Sequence, residues 1–167
     1  NMRRADREVT DYGRMLDILQ QCDCCRLGFV DGEGAYIVPM NFGFEDEGGK
    51  LALYFHGALR GKKMELAQSQ HTVSFETDRV LAFTGGADAC SYTCRFQSVM
   101  GRGRIRLLES PGEKAYGLSR IMEHYAGNGE WTFPAAAVSQ TAVLRLDVVE
   151  MQPGAGDRRA GEPGRRH

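Results

Sequence analysis

Short apolar runs, broken every few residues by glycine, aspartate or proline, make up most of this chain, and that spacing constrains the fold more than any single motif does. Residues 26–30 and 35–44 flank the turn Asp31-Gly32-Glu33-Gly34, and residues 45–50 form a second polar turn ahead of 51–56. Connections this short join antiparallel neighbours, so the stretch reads as a meander of strands. Residues 71–77 set Val73 and Phe75 against Thr72, Ser74 and Glu76, the period-two pattern of a half-buried strand. Residues 80–89 contain glycine and read as irregular. Residues 91–108 are rich in strand formers, with Gly101 and Gly103 marking bends or bulges, and read as one long bent strand or a broken pair. Over 141–151, Ala142, Leu144, Leu146 and Val148 alternate with Arg145 and Asp147, which predicts a final strand.

Three helices punctuate these strands. Residues 10–19 place Tyr12, Met15, Leu16 and Leu19 on one stripe, with Thr10 or Asp11 able to cap the start. Residues 59–67 carry a weaker apolar face, with Lys62 and Lys63 near the helix start. In Ser110-Pro111-Gly112-Glu113 an N-cap serine, a proline at the first helical position and a glutamate at N3 agree on a third helix. It should run to about Tyr125, with Leu118, Ile121, Met122 and Tyr125 as its buried stripe. The fold class expected is mainly β with helices: a small antiparallel barrel of six strands, decorated by helices. Such a barrel fills its interior with side chains, so a ligand must sit outside it, in a mouth, or between subunits.

At 167 residues, 42% of them hydrophobic, the chain is sized for one domain with a core, not for two. Asn1 precedes a methionine and is read as a remnant, so the domain is taken as residues 2–151. Residues 152–167, rich in Gly and Arg with Pro153 and Pro163, have little to bury and are expected to be a disordered tail. The net charge is −1, and Arg158, Arg159, Arg165 and Arg166 all fall in that tail. A body without basic excess argues against a nucleic-acid partner. No run approaches the roughly 18 apolar residues of a membrane helix, and the start lacks a signal-peptide pattern, so no membrane partner and a cytoplasmic location are expected. The odd set Cys22, Cys24, Cys25, Cys90 and Cys94 reads as reduced, buried or half-buried thiols, and its spacing suits no zinc site.

The segment Tyr54-Phe55-His56-Gly57-Ala58-Leu59-Arg60-Gly61-Lys62-Lys63 passes from a strand through small residues into a helix start with two cations. Backbone N–H groups and the positive end of a helix dipole suit an anion there, and Gly57, Ala58 and Gly61 allow close backbone approach. Two solvated surface lysines would account for the same pair. His56 shares a face with Tyr54 and Ala52, opposite Leu51, Leu53 and Phe55, which turns it towards the less apolar side, where it could meet a ligand. His71, His124 and His167 read as structural. Pro39 interrupts the strand Tyr36-Ile37-Val38-Pro39-Met40-Asn41-Phe42 and requires a bulge or a free edge. No Ser-His-Asp order, Walker loop, His-Glu-x-x-His helix or dinucleotide fingerprint is present.

Taken together, the opening Met2-Arg3-Arg4-Ala5-Asp6-Arg7-Glu8-Val9-Thr10-Asp11, the Pro39-bearing strand, Phe55-His56-Gly57-Ala58 with Gly61-Lys62-Lys63, and Ser98-Val99 before Gly101 and Gly103 resemble the pyridoxamine 5′-phosphate oxidase-like, FMN-binding split-barrel superfamily. The opening motif and the histidine turn look most like its nitroimidazole-resistance branch. The resemblance spans about residues 2–151. It implies a split barrel, a homodimer, and FMN in clefts at the subunit interface. It places Lys62 and Lys63, with Gly61 beside them, on the FMN phosphate. It places Val38, Pro39, Met40 and Asn41 along the isoalloxazine ring, His56, Gly57 and Ala58 in the turn between ring and phosphate, and Ser98 at a polar ring contact. The branch usually has serine where Gly57 stands and arginine where Lys62 stands; each change loses hydrogen-bonding capacity. Pyridoxamine-phosphate oxidases themselves end in a Trp- and Arg-containing segment, which residues 144–148 and the following tail do not resemble. The function implied is an FMN-dependent oxidoreductase, a nitroreductase for nitroimidazoles or other small aromatic substrates, with His56 as its catalytic residue. The alternative is a non-catalytic flavin- or haem-binding module for storage or sensing.

Overall fold

The computed structural model describes the backbone of residues 2–154 and the side chains from residue 11 onward. The chain opens with α1 (Met2–Gln21), followed by the hairpin β1 (Cys25–Asp31) and β2 (Gly34–Met40), then β3 (Phe42–Glu47) and β4 (Lys50–Ala58). Helix α2 (Lys62–Ser69) leads into the long pair β5 (Thr72–Thr84) and β6 (Thr93–Leu107). Helices α3 (Pro111–Ala126) and α4 (Ala135–Ser139) precede β7 (Thr141–Pro153). Among the described residues the seven strands form one antiparallel sheet in the order β2-β1-β5-β6-β7-β4-β3.

The expected architecture is present, with seven strands instead of six. The difference lies within residues 35–44, read as one strand. Met40 pairs with Cys25 on β1, whereas Phe42 pairs with Phe55 on β4, so the chain changes partners across Asn41. The two strands so divided, β2 and β3, lie at opposite ends of the strand order. A single residue therefore links the two edges, and the sheet must curl to let it do so. The Phe42 N–H at this changeover donates to the Tyr125 hydroxyl at 3.1 Å, and that hydroxyl donates to the Asp23 carbonyl at 2.6 Å. Pro39 sits on β2, an edge strand, where its missing N–H breaks no inner ladder.

Inside the curl, Leu27, Phe29, Phe42, Leu53, Phe55, Phe75, Val99, Leu144 and Leu146 form the main core, closed over by Met15, Ile18 and Leu19 of α1 and by Met64 and Ala67 of α2. Outside it, α3 covers Ala52, Tyr54 and Val143 with Ile121 and Leu118. The second face of β4 is thus an apolar interface as well, which corrects the expectation that Ala52 and Tyr54 lie on a less apolar side. Helix α3 begins as expected, the Ser110 hydroxyl accepting the Glu113 N–H at 3.1 Å. Its buried positions are Lys114, Gly117 and Ile121, and Tyr125 is half exposed because its hydroxyl reaches out to Asp23.

Helix α1 starts at Met2, ahead of the cap sought at Thr10 or Asp11, since no glycine or proline interrupts residues 2–12. Residues 80–84, read as irregular, extend β5 and pair with the start of β6, with a register shift between Val80 and Ala82. Gln152 and Pro153, assigned to the tail, pair with β6; residues 155–167, and with them His167, lie outside the described residues. Cys22 and Cys25 are buried and Cys24 is half-buried, but Cys90 and Cys94 are exposed near the far end of the β5–β6 pair. His124 is structural, its Nε2 donating to the Cys22 carbonyl at 2.7 Å.

A Cβ on Gly43 would stand 2.4 Å from the Arg120 carbonyl carbon and 2.5 Å from the Ile121 nitrogen, both backbone atoms of α3. Gly43→Ala must therefore push α3 off the sheet. We expect it to cost about 1–3 kcal/mol, read as a lowered urea midpoint.

Candidate functional site

Strand β4 leaves the core at Phe55 and delivers His56, Gly57 and Ala58 to the surface just before α2. Gly61, with φ 131°, occupies the left-handed region that only glycine enters easily, and its carbonyl accepts the N–H groups of Met64 and Glu65 at 3.1 Å each. The amides of Lys62 and Lys63, at the first two positions of α2, have no acceptor within the helix. Met64 and Ala67 anchor the helix in the core.

The two adjacent lysines diverge. Lys63 folds back over Gly57: a Cβ there would lie 2.9 Å from Lys63 Cε and 3.0 Å from Nζ. Its ammonium also lies close enough to His56 to act on it. Partial desolvation, then this positive neighbour, holds the imidazole below its ordinary pKa and favours its neutral form. Lys62 turns the other way, onto Asp31 Oδ2 at 2.7 Å and over the Tyr36 ring, 4.5 Å from its centroid. The Lys62 ammonium and the Glu33 N–H together keep the Asp31 carboxyl below its usual range. At the other end of α2, the Gln70 side chain accepts the Val30 N–H at 3.0 Å and donates to the Val30 carbonyl, so β1 holds the helix at both ends.

The remaining residues singled out in the sequence are only partly gathered here. Asn41 directly precedes the Phe42–Phe55 pair and so flanks His56. Along β2, Val38 and Met40 face the core, while Pro39 and Asn41 are exposed. Side-chain contact with a ligand is therefore open to Pro39 and Asn41, and Val38 and Met40 can offer only backbone. Ser98 is buried on β6 opposite Asp78, its carbonyl accepting the Gly154 N–H at 2.9 Å. It stands at the end of β7 remote from Val143, the residue that pairs with His56.

Sequence reasoning missed two groups. Asp31 reads as ordinary turn chemistry, and only the fold shows it holding Lys62. The second group is Arg26, Glu76 and Asp78 on the outer face. Arg26 Nη1 lies 3.1 Å from Glu76 and 3.4 Å from Asp78. Arg26 and Glu76 line a groove of about 950 Å³ with Ile37, Met100, Arg102 and Glu150. Desolvation, then the hydrogen bond to Asp78 and its charge, raise Glu76 to about 7 against the pull of Arg26. A cross-strand register, absent from local spacing, brings these residues together.

The comparisons with known proteins agree with this fold. The family model for pyridoxamine 5′-phosphate oxidase matches residues 11–154. The chain belongs to that family. A solved structure of a proposed 5-nitroimidazole antibiotic resistance protein from Bacteroides thetaiotaomicron VPI-5482 is 33% identical, with a TM-score of 0.71 over 84% of this chain and 81% of that one. The same split-barrel fold occurs in the flavocytochrome Anf3 from Azotobacter vinelandii, at 22% identity and TM-score 0.68 over 88% of this chain and 66% of that one. It also occurs in an FAD- and haem-binding protein from Mycobacterium smegmatis, at 12% identity and TM-score 0.72 over 90% and 74% of the two chains. No curated protein matches the sequence. Among the described residues no helix is long and apolar enough to cross a membrane.

Glu76 supplies a test of the outer-face cluster. In the unfolded chain its carboxyl ionises near 4.5, whereas the fold raises it to about 7. The fold thus favours the protonated form, and the stabilisation present below pH 4.5 is lost as the pH rises towards 7. Urea midpoints measured from pH 4.5 to 8 should fall less steeply in Glu76→Gln than in the parent chain; parallel curves would contradict the shift.

Proposed function

We propose that this chain binds FMN at the β4–α2 corner and works as an FMN-dependent oxidoreductase, with small nitroaromatic compounds such as nitroimidazoles as electron acceptors. The observation that carries the reading is the corner itself: a lysine ammonium folded over a glycine, beside two helix-start amides, at positions that match the family's phosphate-gripping motif. The fit is chemical as well as positional. Gly61 leaves backbone accessible, and Lys63, folded over Gly57, with the N–H groups of Lys62 and Lys63 offers charge-assisted donors for a phosphoryl group. Pro39 and Asn41 would border the flat ring. Bound FMN would supply reversible transfer of electrons, which no side chain here can provide. The chain's own part is to seat the cofactor, exclude water from one side of it and orient the acceptor. His56, whose neutral form the corner favours, would donate a hydrogen bond from its ring N–H to the acceptor.

A homodimer belongs to the same proposal. The outer face of β2, β1, β5 and β6 exposes Ile37 and Met100 beside the groove, and the extended β5–β6 pair exposes Val80, Phe83, Tyr92 and Phe96. Phe83 is 69% and Ile37 64% exposed. Apolar surface of this kind suits a partner, and pairing Arg26 with Glu76 and Arg102 with Glu150 leaves no large excess of one charge along the face to repel a second copy. A non-catalytic flavin- or haem-binding role is the second reading, favoured by the fold shared with the flavocytochrome and with the FAD- and haem-binding protein.

The purified protein, loaded with FMN, should be yellow, bleach on reduction and recover its colour when a nitroimidazole is added. A haem spectrum, or bleached flavin that the nitro compound does not reoxidise, would favour the second reading. Lys63→Ala should weaken FMN binding about tenfold, the loss of one charge-assisted contact, as read by quenching of flavin fluorescence. His56→Ala should slow reoxidation by the nitro compound while leaving FMN affinity within about twofold; unchanged turnover would remove His56 from the reaction.

A further inference from the structure

The corner carries two lysines, yet only one is available to an incoming anion. Lys62 is bound to the Asp31 carboxylate at 2.7 Å and lies over the Tyr36 ring, while Lys63 faces Gly57 and His56. Asp31 is well placed to keep this hold. Its other oxygen, Oδ1, accepts the Glu33 N–H at 2.8 Å within the β1–β2 turn, so the carboxylate is oriented before Lys62 reaches it. Its side chain is only 15% exposed, whereas that of Lys62 is 49% exposed, which makes Asp31 the fixed partner and Lys62 the movable one. Tyr36 pairs with Phe29 across the same hairpin and gives the ammonium a second reason to stay.

We propose that Asp31 is an internal competitor for the phosphoryl group: it withholds Lys62 from the anion site and sets that site's affinity below what two free lysines would give. The inference rests on the β4–α2 corner being the phosphate site. An arriving dianion meets a carboxylate near the helix start and must either draw Lys62 away from Asp31 or be held by Lys63 and the backbone alone. Removing the carboxylate's charge, while keeping its hydrogen bond to Glu33, should release Lys62 and strengthen binding of anything that ends in phosphate. Flavin lacking the phosphate should not respond, because Asp31 lies with the lysines and not along the strand that would border the ring.

The test uses the full chain and two probes, FMN and riboflavin, titrated by fluorescence quenching at low and at physiological salt. Asp31→Asn preserves the turn acceptor and should bind FMN about three- to fivefold more tightly, the range of an exposed ion pair, with riboflavin unchanged. The gain should shrink as salt is added, and adding Lys62→Gln to Asp31→Asn should abolish it. A thermal melt of each variant, matching the parent, excludes a folding effect. FMN affinity that stays the same or falls in Asp31→Asn, or riboflavin affinity that rises in step, overturns the competition while leaving the corner as the phosphate site. A parent protein that binds FMN no better than riboflavin overturns the corner and the competition together.

Discussion

The constraint on which the rest of the structure depends is that one residue, Asn41, joins the two edges of the sheet. Met40 is still laddered to β1 and Phe42 is already laddered to β4, so strands at opposite ends of the order must come within one peptide of each other. This covalent demand adds to the strand twist and to the register shifts on β5–β6 and β6–β7 that also bend the sheet. The curl in turn creates an inside for the large apolar residues of the sheet and leaves an outside that α3 covers over β3, β4 and β7. The changeover also interrupts the backbone hydrogen bonding at Phe42, and Tyr125 supplies the missing acceptor. Helix α3 is therefore tied to the changeover, and its close approach at Gly43 follows.

The site inherits its position from that closure. With Phe42 beside Phe55, Asn41 and His56 follow on the two chains at the rim, where β4 runs out of core. Beyond the rim the chain has a few residues in which to reverse into α2, whose Met64 and Ala67 must reach back into the same core. Gly61 makes the reversal possible with its positive φ, and the helix that results points its unpaired amides outward. A corner whose helix-start amides and lysine could receive an anion is thus a by-product of closing the end of the barrel with a short helix, on a surface the fold must build in any case.

Much of this was legible in the chain, for local reasons. The Ser110 cap, the glycine-rich turns and the alternation over 72–77 and 141–151 each depend on residues a few positions apart. The split of residues 35–44 was not legible, because alternation continues through Asn41 unbroken while the pairing partner changes, and a partner is a non-local property. Residues 80–84 were misread because their neighbours on β6 lie across a long loop and their side chains face solvent, which leaves no amphipathic signal. The candidate site divides in the same way. His56, Gly57, Gly61 and Lys63 are contiguous and were found together. Ser98 and the outward half of the Pro39 strand depend on how the sheet wraps, and Asp31 becomes visible as a partner of Lys62 only once β1 lies against α2.

Two departures from the nitroimidazole-resistance pattern then become related instead of independent. Where that branch usually places serine after the histidine, this chain has Gly57, and the space a side chain would fill is taken by the Lys63 stem. A serine there would meet Cε and Nζ of Lys63 within about 3 Å and turn the ammonium away from the corner. The absent hydroxyl is a neutral donor, and the group occupying its place is a cation, which is the stronger partner for a phosphoryl oxygen. At the other position, lysine in place of arginine gives up the planar fork but gains a compact charge able to settle on the single oxygen that Asp31 presents, over a tyrosine face. In this chain the first lysine is thus held by Asp31 and the second lies over the corner, and Gly57 is the residue that leaves room for it.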